Sequence, residues 1–297
     1  MRAPFDPNLT RLGGHRLAEG VFAVLPRDVG ERDHVATTAG FVIGERAVLV
    51  IESLLTGHLA AQLLALLRRE TAKPIRYLVN TSYHGDHCNG NFVFPAETLI
   101  VQHPATKACL DRRFEQDRAF MLELMGHNKG IEEVVYRPAD LTAADRLTID
   151  LGGRTVEVLH FGFAQTEGDL VVWVPDARVL WVGNMIQAPA PAVPWLLDGG
   201  HGRAIGTLRR LRSFLGEEAT IITGHGRPIA PAEIAYPLGY LEELDRQVKQ
   251  AIDSNLSMEE TVREVELAAY QAYSHYAWVH PQVNVPAAYR ELAGRKA

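Results

Sequence analysis

Two imidazoles and a carboxylate fall within four residues at His84-Gly85-Asp86-His87. Side chains of these types can converge on one cation, and Gly85 lets the backbone fold tightly enough for them to meet. A polar turn with surface histidines would look similar locally. Comparable polar clusters recur, however, around Gln165 and at Gly224-His225-Gly226. That recurrence favours one site assembled from several loops.

These clusters must be held by the segments before them. Val21 to Leu25, Gly40 to Ile43 and Ala47 to Ile51 read as short strands, with Gly44-Glu45-Arg46 as a hairpin connection. Leucines at helical spacing from Gly57 to Arg69 predict a helix ended by Lys73-Pro74. Ile75 to Val79 is a buried strand running straight into the histidine cluster, and Thr98 to Gln102 is another. Ala105 to Met125 reads as a helix, followed by a break at Gly126 to Gly130.

The second half repeats the theme. Strands are expected at Thr155 to Phe161, Asp169 to Val174, Arg178 to Val182 and Ala219 to Thr223, and a helix at Arg203 to Leu215. From Pro231 the pattern is helical, with a turn near His280-Pro281. Each polar cluster follows a strand, the usual place for a site built where strand ends converge. An α/β domain over residues 1–230 is expected, with a helical C-terminal extension over 231–297 packed on it.

The 297 residues include 47% apolar and 22% charged side chains, ordinary globular usage. A net charge of -6 disfavours general nucleic-acid binding. Cys88 and Cys109 are too few for a disulfide framework, and Cys88 is expected to pack as a small apolar residue. No apolar run is long enough to span a bilayer, and the N-terminus lacks the apolar stretch of a secretory signal. A soluble cytoplasmic protein is expected, without nucleic-acid or membrane partners.

Four stretches resemble the motifs of the metallo-β-lactamase superfamily, in family order. Asn80 to His87 looks like its metal-binding loop, and Phe161 to Asp169 is similar to its second motif. Val182-Gly183-Asn184 matches the strand end that supplies a bridging aspartate, and Thr223-Gly224-His225-Gly226 the final Gly-His-Gly. The resemblance covers roughly residues 18 to 230 and implies a four-layer αββα sandwich with the site along one edge.

It also implies ligand positions, and here the sequence departs from the pattern. Ser82, His84 and Gln165 stand where the first metal site has three histidines, and Asn184 replaces the bridging aspartate. Asp86, His87 and His225 match all three ligands of the second site. Neutral hydroxyl and amide oxygens are weak ligands for Zn²⁺, so one divalent metal is expected at the second site only. Two histidines and a carboxylate suit zinc best, with iron and manganese also compatible.

The expected chemistry is hydrolysis by metal-activated water, with Asp86 both ligand and catalytic residue. His84, free of ligand duty, would act as general base or leaving-group acid. Ser82, Gln165 and Asn184 would donate hydrogen bonds to a substrate carbonyl or oxyanion. Tyr83 points to substrate on this reading. The Pro-rich loop Met185 to Trp195 reads as a pocket wall, with Trp195 as its flat apolar surface, and Ala119 to Met125 sits where relatives shape the pocket. His280 is placed at the pocket mouth, of its own or a partner subunit in a homodimer. His160 reads as a structural histidine.

The substrate would be a small, partly hydrophobic ester, lactone, amide or thioester. Two competing readings keep the fold. One is a non-hydrolytic reaction (elimination, decarboxylation, cyclisation or oxygen chemistry) with His84 as acid/base, and the other is a non-catalytic binding protein with a decayed site.

Overall fold

The chain begins with short apolar runs that can bury both faces only if a second layer covers each side, and that requirement shapes the whole molecule. The structure, a computed structural model, describes residues 6–27 and 36–294. Strands β1 (Leu12–Ala18), β2 (Val21–Pro26), β3 (Ala39–Ile43) and β4 (Val48–Ile51) form an antiparallel meander. Helix α1 (Gly57–Glu70) then crosses over to β5 (Ile75–Val79), which pairs parallel with β4. The short α2 (Gly85–Cys88), β6 (Leu99–Gln102), α3 (Pro104–Met125) and β7 (Leu141–Thr142) complete a seven-stranded sheet in sequence order.

The second sheet has five strands, ordered β12-β11-β10-β9-β8. These are β8 (Arg146–Asp150), β9 (Thr155–His160), β10 (Leu170–Val174), β11 (Val179–Gly183) and, after α4 (His201–Phe214), β12 (Thr220–Thr223). Helices α5 (Ala235–Asp253), α6 (Met258–Glu264), α7 (Tyr276–Trp278) and α8 (Val285–Gly294) follow.

The period-two alternation of strands assigns the layers. On β4, Leu49 and Ile51 face the second sheet and meet Val156, Val158, Val172 and Trp181. Val48 and Val50 face the other way, onto Leu59, Leu63 and Leu67 of α1, which recur every four residues along one helix face. The hydroxyl of Thr56 caps this helix by accepting from Leu59 N at 3.3 Å. On the far side, Leu180 and Val182 of β11 pack with Leu208 and Leu211 of α4 and with Leu241 and Leu244 of α5. The result is the αββα order, with the C-terminal helices packed against the second sheet and α4.

Two local expectations are corrected. The chain does not turn at His280-Pro281. A wide, π-type helical segment over Val279–Asn284 carries it into α8, and the looser winding accommodates Pro281, which has no N–H to donate. Strands β1 and β8 escape the sequence reading because their exposed charged residues (His15, Arg16, Arg146, Asp150) mask the alternation. Among the described residues, no helix is long and apolar enough to cross a membrane.

Candidate metal centre and its cavity

Strand ends β4, β5, β11 and β12 each deliver one polar segment to the same edge of the sandwich. From β5 the chain runs through Asn80 to His84 into α2, which presents Asp86 and His87. After β12, Gly224-His225 closes the constellation from the other sheet. One ligand atom from each of Asp86, His87 and His225 lies within 4.8 Å of the others. Asp86 Oδ2 is 3.6 Å from His87 Nε2 and 3.5 Å from His225 Nε2.

Surrounding groups hold these side chains in place. Glu52, just past β4 and in the left-handed region at φ 64°, accepts from His87 Nδ1 at 2.9 Å. That bond directs Nε2 toward Asp86 and His225, and Nε2 has no hydrogen-bond partner although His87 is fully buried. The same carboxylate accepts from Thr81 N at 3.2 Å and from the Thr81 hydroxyl, tying the loop to β4. Thr37 Oγ1 donates to Asp86 Oδ2 at 2.6 Å. His225 N donates to Gln187 O at 2.8 Å, and Thr38 N to Gly224 O at 2.8 Å.

Two glycines make the convergence possible. A Cβ on Gly183 would lie 2.0 Å from Thr81 Oγ1, and one on Gly224 would lie 2.2 Å from Asn184 Oδ1. A side chain at position 183 would push the loops of the two sheets apart, and one at position 224 would displace Asn184 at the edge of the second sheet.

The electrostatics favour a cation. Burial pushes the Asp86 carboxyl up, but His87, His225 and the Thr37 hydroxyl outweigh it and hold it below the carboxylate range. Burial likewise opposes charge on His87, yet Asp86 and Glu52 lift it to about 9. Without metal the site therefore keeps a proton where a metal would sit. A convergent carboxylate and two imidazoles, one with a buried unpaired nitrogen already oriented by Glu52, fit a single divalent ion.

The neighbouring positions behave differently. His84 accepts from Asn184 Nδ2 at its Nδ1 at 3.3 Å. Burial pushes His84 down to about 4, so the ring is neutral near pH 7 and its hydrogen sits on Nε2. A ring in this state offers its Nε2 hydrogen to an oxygen. Gln165 Nε2 donates to Gln187 Oε1 at 2.9 Å. Its loop is fixed by Asp169 Oδ2, which accepts from Gln165 N at 2.6 Å and Thr166 N at 2.8 Å.

Gln165 Oε1 and Asn184 Oδ1 are buried and have no partner. Each amide nitrogen spends one of its two hydrogens, on Gln187 or on His84, and keeps the other. Ser82 is displaced from its expected role. It is fully buried, is absent from the cavity lining, and its Oγ accepts from His84 N at 3.4 Å.

The cavity in front of the centre holds about 440 Å³. Tyr83 and Trp195 line it, as do Met121 and Leu124 of α3. Tyr83 Oη donates to both oxygens of Asp198 at 3.0 Å. The loop from Met185 contributes only part of the wall, because Ala188, Ala192 and Val193 are buried in the core while Gln187 and Trp195 reach the cavity. Trp195 Nε1 donates to Tyr273 Oη at 3.1 Å and its ring meets Trp278 edge-on at 5.1 Å.

His280 is not at the pocket mouth. It is buried between helices, with Nδ1 2.9 Å from Tyr240 Oη and Nε2 2.9 Å from Val265 O. The histidine that does line the cavity from this region is His275. The π-type turn explains the difference, since it carries residue 280 inward as part of a continuous helical path. Cys88 packs as expected, donating to Tyr83 O at 3.3 Å, and His160 is structural, with Nδ1 3.0 Å from Asp169 O.

Sequence reasoning missed Glu52, Thr37, Asp198, His275 and the place of Trp278 in the cavity wall. Glu52 alone carried a signal, being an acidic residue directly after an apolar strand. The others follow no recognisable spacing.

Comparison with known proteins adds to this geometry. A model of the metallo-β-lactamase superfamily matches residues 32–225. A linear primary-alkylsulfatase of Pseudomonas sp. (strain ATCC 19151) is 25% identical over 258 residues, covering 72% of this chain and 47% of that protein. The chain thus spans about half the length of the curated relative it matches. A solved sec-alkylsulfatase from Pseudomonas sp. aligns at TM-score 0.73 and 16% identity, covering 95% of this chain and 50% of that one. A metallo-β-lactamase from Pontibacter korlensis aligns at TM-score 0.60 and 17% identity, covering 78% and 99% respectively.

Proposed function

The chain belongs to the metallo-β-lactamase superfamily, and from that premise we propose that it is a hydrolase of small, partly hydrophobic acyl compounds that works with one divalent metal. The observation that carries this reading is the convergence of Asp86, His87 and His225 within 4.8 Å, with a buried unpaired nitrogen among the three. Their donor set suits zinc, and iron or manganese would also be accepted.

Held there, the ion supplies Lewis acidity and a nucleophile at neutral pH. The protein does the rest. Glu52 and Thr37 fix the ligands, so no reorganisation is needed as charge develops. His84, with its hydrogen on Nε2, donates to a carbonyl oxygen or a leaving group. The flat surface of Trp195 and the methionine and leucine side chains of α3 take the apolar part of the substrate and displace water.

Hydrolysis of an alkyl sulfate is the second reading, favoured by the likeness to the two alkylsulfatases. The lining weighs against it. Asp117, Glu123 and Asp198 face the cavity against Arg113, a balance that repels a sulfate ester. Carbonyl substrates are therefore placed first.

Protein purified without chelator should contain one equivalent of metal. It should hydrolyse members of a panel of acyl esters, lactones, amides and thioesters, lose that activity on chelation and regain it with added metal. Activity indifferent to chelator, or turnover confined to alkyl sulfates, would defeat the reading.

A further inference from the structure

Three buried amide side chains that take no part in the cavity meet beside α2. Asn80 and Gln102 are fully buried and Asn91 nearly so, and none of them lines the cavity. Asn80 directly follows β5, Gln102 ends β6, and Asn91 lies in the single 3-10 turn after α2. Asn80 Nδ2 donates to Asn91 Oδ1 at 3.0 Å and to His87 O at 3.1 Å. Its Oδ1 accepts from Asn91 Nδ2 and from Gln102 Nε2, each at 2.9 Å. Both hydrogens and both lone pairs of the Asn80 amide are thus spent. Turning it would break several hydrogen bonds in a space closed to water, which fixes its orientation.

One of those bonds leaves the amides and reaches a metal-binding residue. His87 O accepts from Asn80 Nδ2, and also from Ser53 N at 3.0 Å and Ser53 Oγ at 3.3 Å. The outside support is needed, because α2 has only four residues and so short a helix cannot hold itself. Asn80 N meanwhile donates to Val101 O at 3.1 Å, so this residue still belongs to the edge of a rigid sheet. It carries the position of that sheet to the turn.

We propose that Asn80 is a positioning residue for the metal centre, acting through the main chain of His87. The proposal rests on the reading of Asp86, His87 and His225 as metal ligands. His87 is then gripped at two ends. Glu52 orients the ring through Nδ1, while Asn80 sets where the ring is attached. Ligand distances around a metal tolerate only about 0.2 Å, so a small slip of the turn misplaces Nε2. An apolar side chain at position 80 could fill the same space, but it could not make this connection.

The test loads the full chain with Co²⁺ and reads its visible absorption bands, which report ligand geometry, together with affinity in competition with a chromophoric chelator. Asn80→Ala should shift the bands and weaken Co²⁺ binding by about tenfold or more. Gln102→Leu breaks the same amide group without touching His87 O. It should lower the melting temperature of the metal-free protein while leaving the bands in place. Should Asn80→Ala fail to fold, Asn80→Ser carries the same expectation, since its hydroxyl cannot span from Gln102 to His87 O. Unchanged bands and affinity in a folded position-80 variant would overturn the proposal, as would an equal band shift from Gln102→Leu. Wild-type protein that binds no Co²⁺ would instead sink the metal reading itself, and this proposal with it.

Discussion

The two halves of the site share loops and strand ends yet are wired in opposite senses. Around Asp86 and His87, neighbouring groups fix the ligands: Glu52 takes the far nitrogen of His87, Nδ1, and Thr37 donates to Asp86 Oδ2, the oxygen nearest the two histidines. What remains facing inward is electron-rich and suited to a cation. Around His84, Gln165 and Asn184, the inner side chains satisfy one another and their neighbours, leaving neutral amide oxygens. Ligand identity alone does not separate the halves. The partner behind each side chain decides which of its atoms is offered.

The sharpest way to break this division is to delete one residue from each half. Asp86→Ala should remove the metal and cut turnover by about 10³-fold or more. His84→Ala should keep one equivalent of metal and lower kcat by about 10²-fold. Elemental analysis beside kinetics reads both, and metal loss in the second variant would show that His84 is a ligand.

Next in size is the outer group itself. Glu52→Gln keeps the shape but weakens the hold on His87 Nδ1, and metal affinity should fall by about 10- to 100-fold in competition with a chromophoric chelator. An unchanged affinity would mean that the outer bonds do not set the metal half apart.

The proton held by His87 gives a pH signature. Its value of about 9 in the metal-free protein lies above the usual value of about 6.5. The stabilisation of the apo fold from this group is complete below about pH 6.5 and is lost as pH rises through about 9. Metal must displace the same proton, so apparent affinity should rise up to tenfold per pH unit toward about pH 9. A flat profile over that range would contradict the charge state inferred for the metal half.

The smallest effects distinguish wall from buttress. Trp195→Ala should raise KM severalfold with little change in metal content, because it removes apolar surface from the cavity. His280→Ala should leave KM unmoved and lower stability by about 1–3 kcal/mol, because it strips partners from Tyr240 and Val265 O. A KM effect from His280 would return it to the pocket.

The sandwich and the metal half were legible because they follow rules that act along the chain. Strand alternation assigns Leu49 and Val50 to opposite faces, and Asp86 and His87 sit next to each other on one loop. His225 could be placed because Thr223-Gly224-His225-Gly226 resembles the final Gly-His-Gly motif of the superfamily. The rest depended on tertiary geometry. The Gln165 amide is oriented by Gln187, twenty-two positions away in sequence, and no local pattern encodes that pairing. His280 was misplaced because a proline normally ends a helix, whereas here a wider winding absorbs it.

The tie between Asn284 and the loop ahead of Trp195 has a further consequence. Asn284 Nδ2 donates to Pro194 O at 2.7 Å, and its Oδ1 accepts from Leu196 N at 3.0 Å, so the helices after residue 230 hold the indole in position. The stretch that earns family membership stops at residue 225, short of His275 and Trp278. Part of the cavity wall thus lies beyond the stretch that matches the family, while Tyr83, Met121, Leu124 and Trp195 lie within it. Exchanging the terminal helices between homologues should transplant the range of molecules admitted while the metal-coordinating sequence stays untouched.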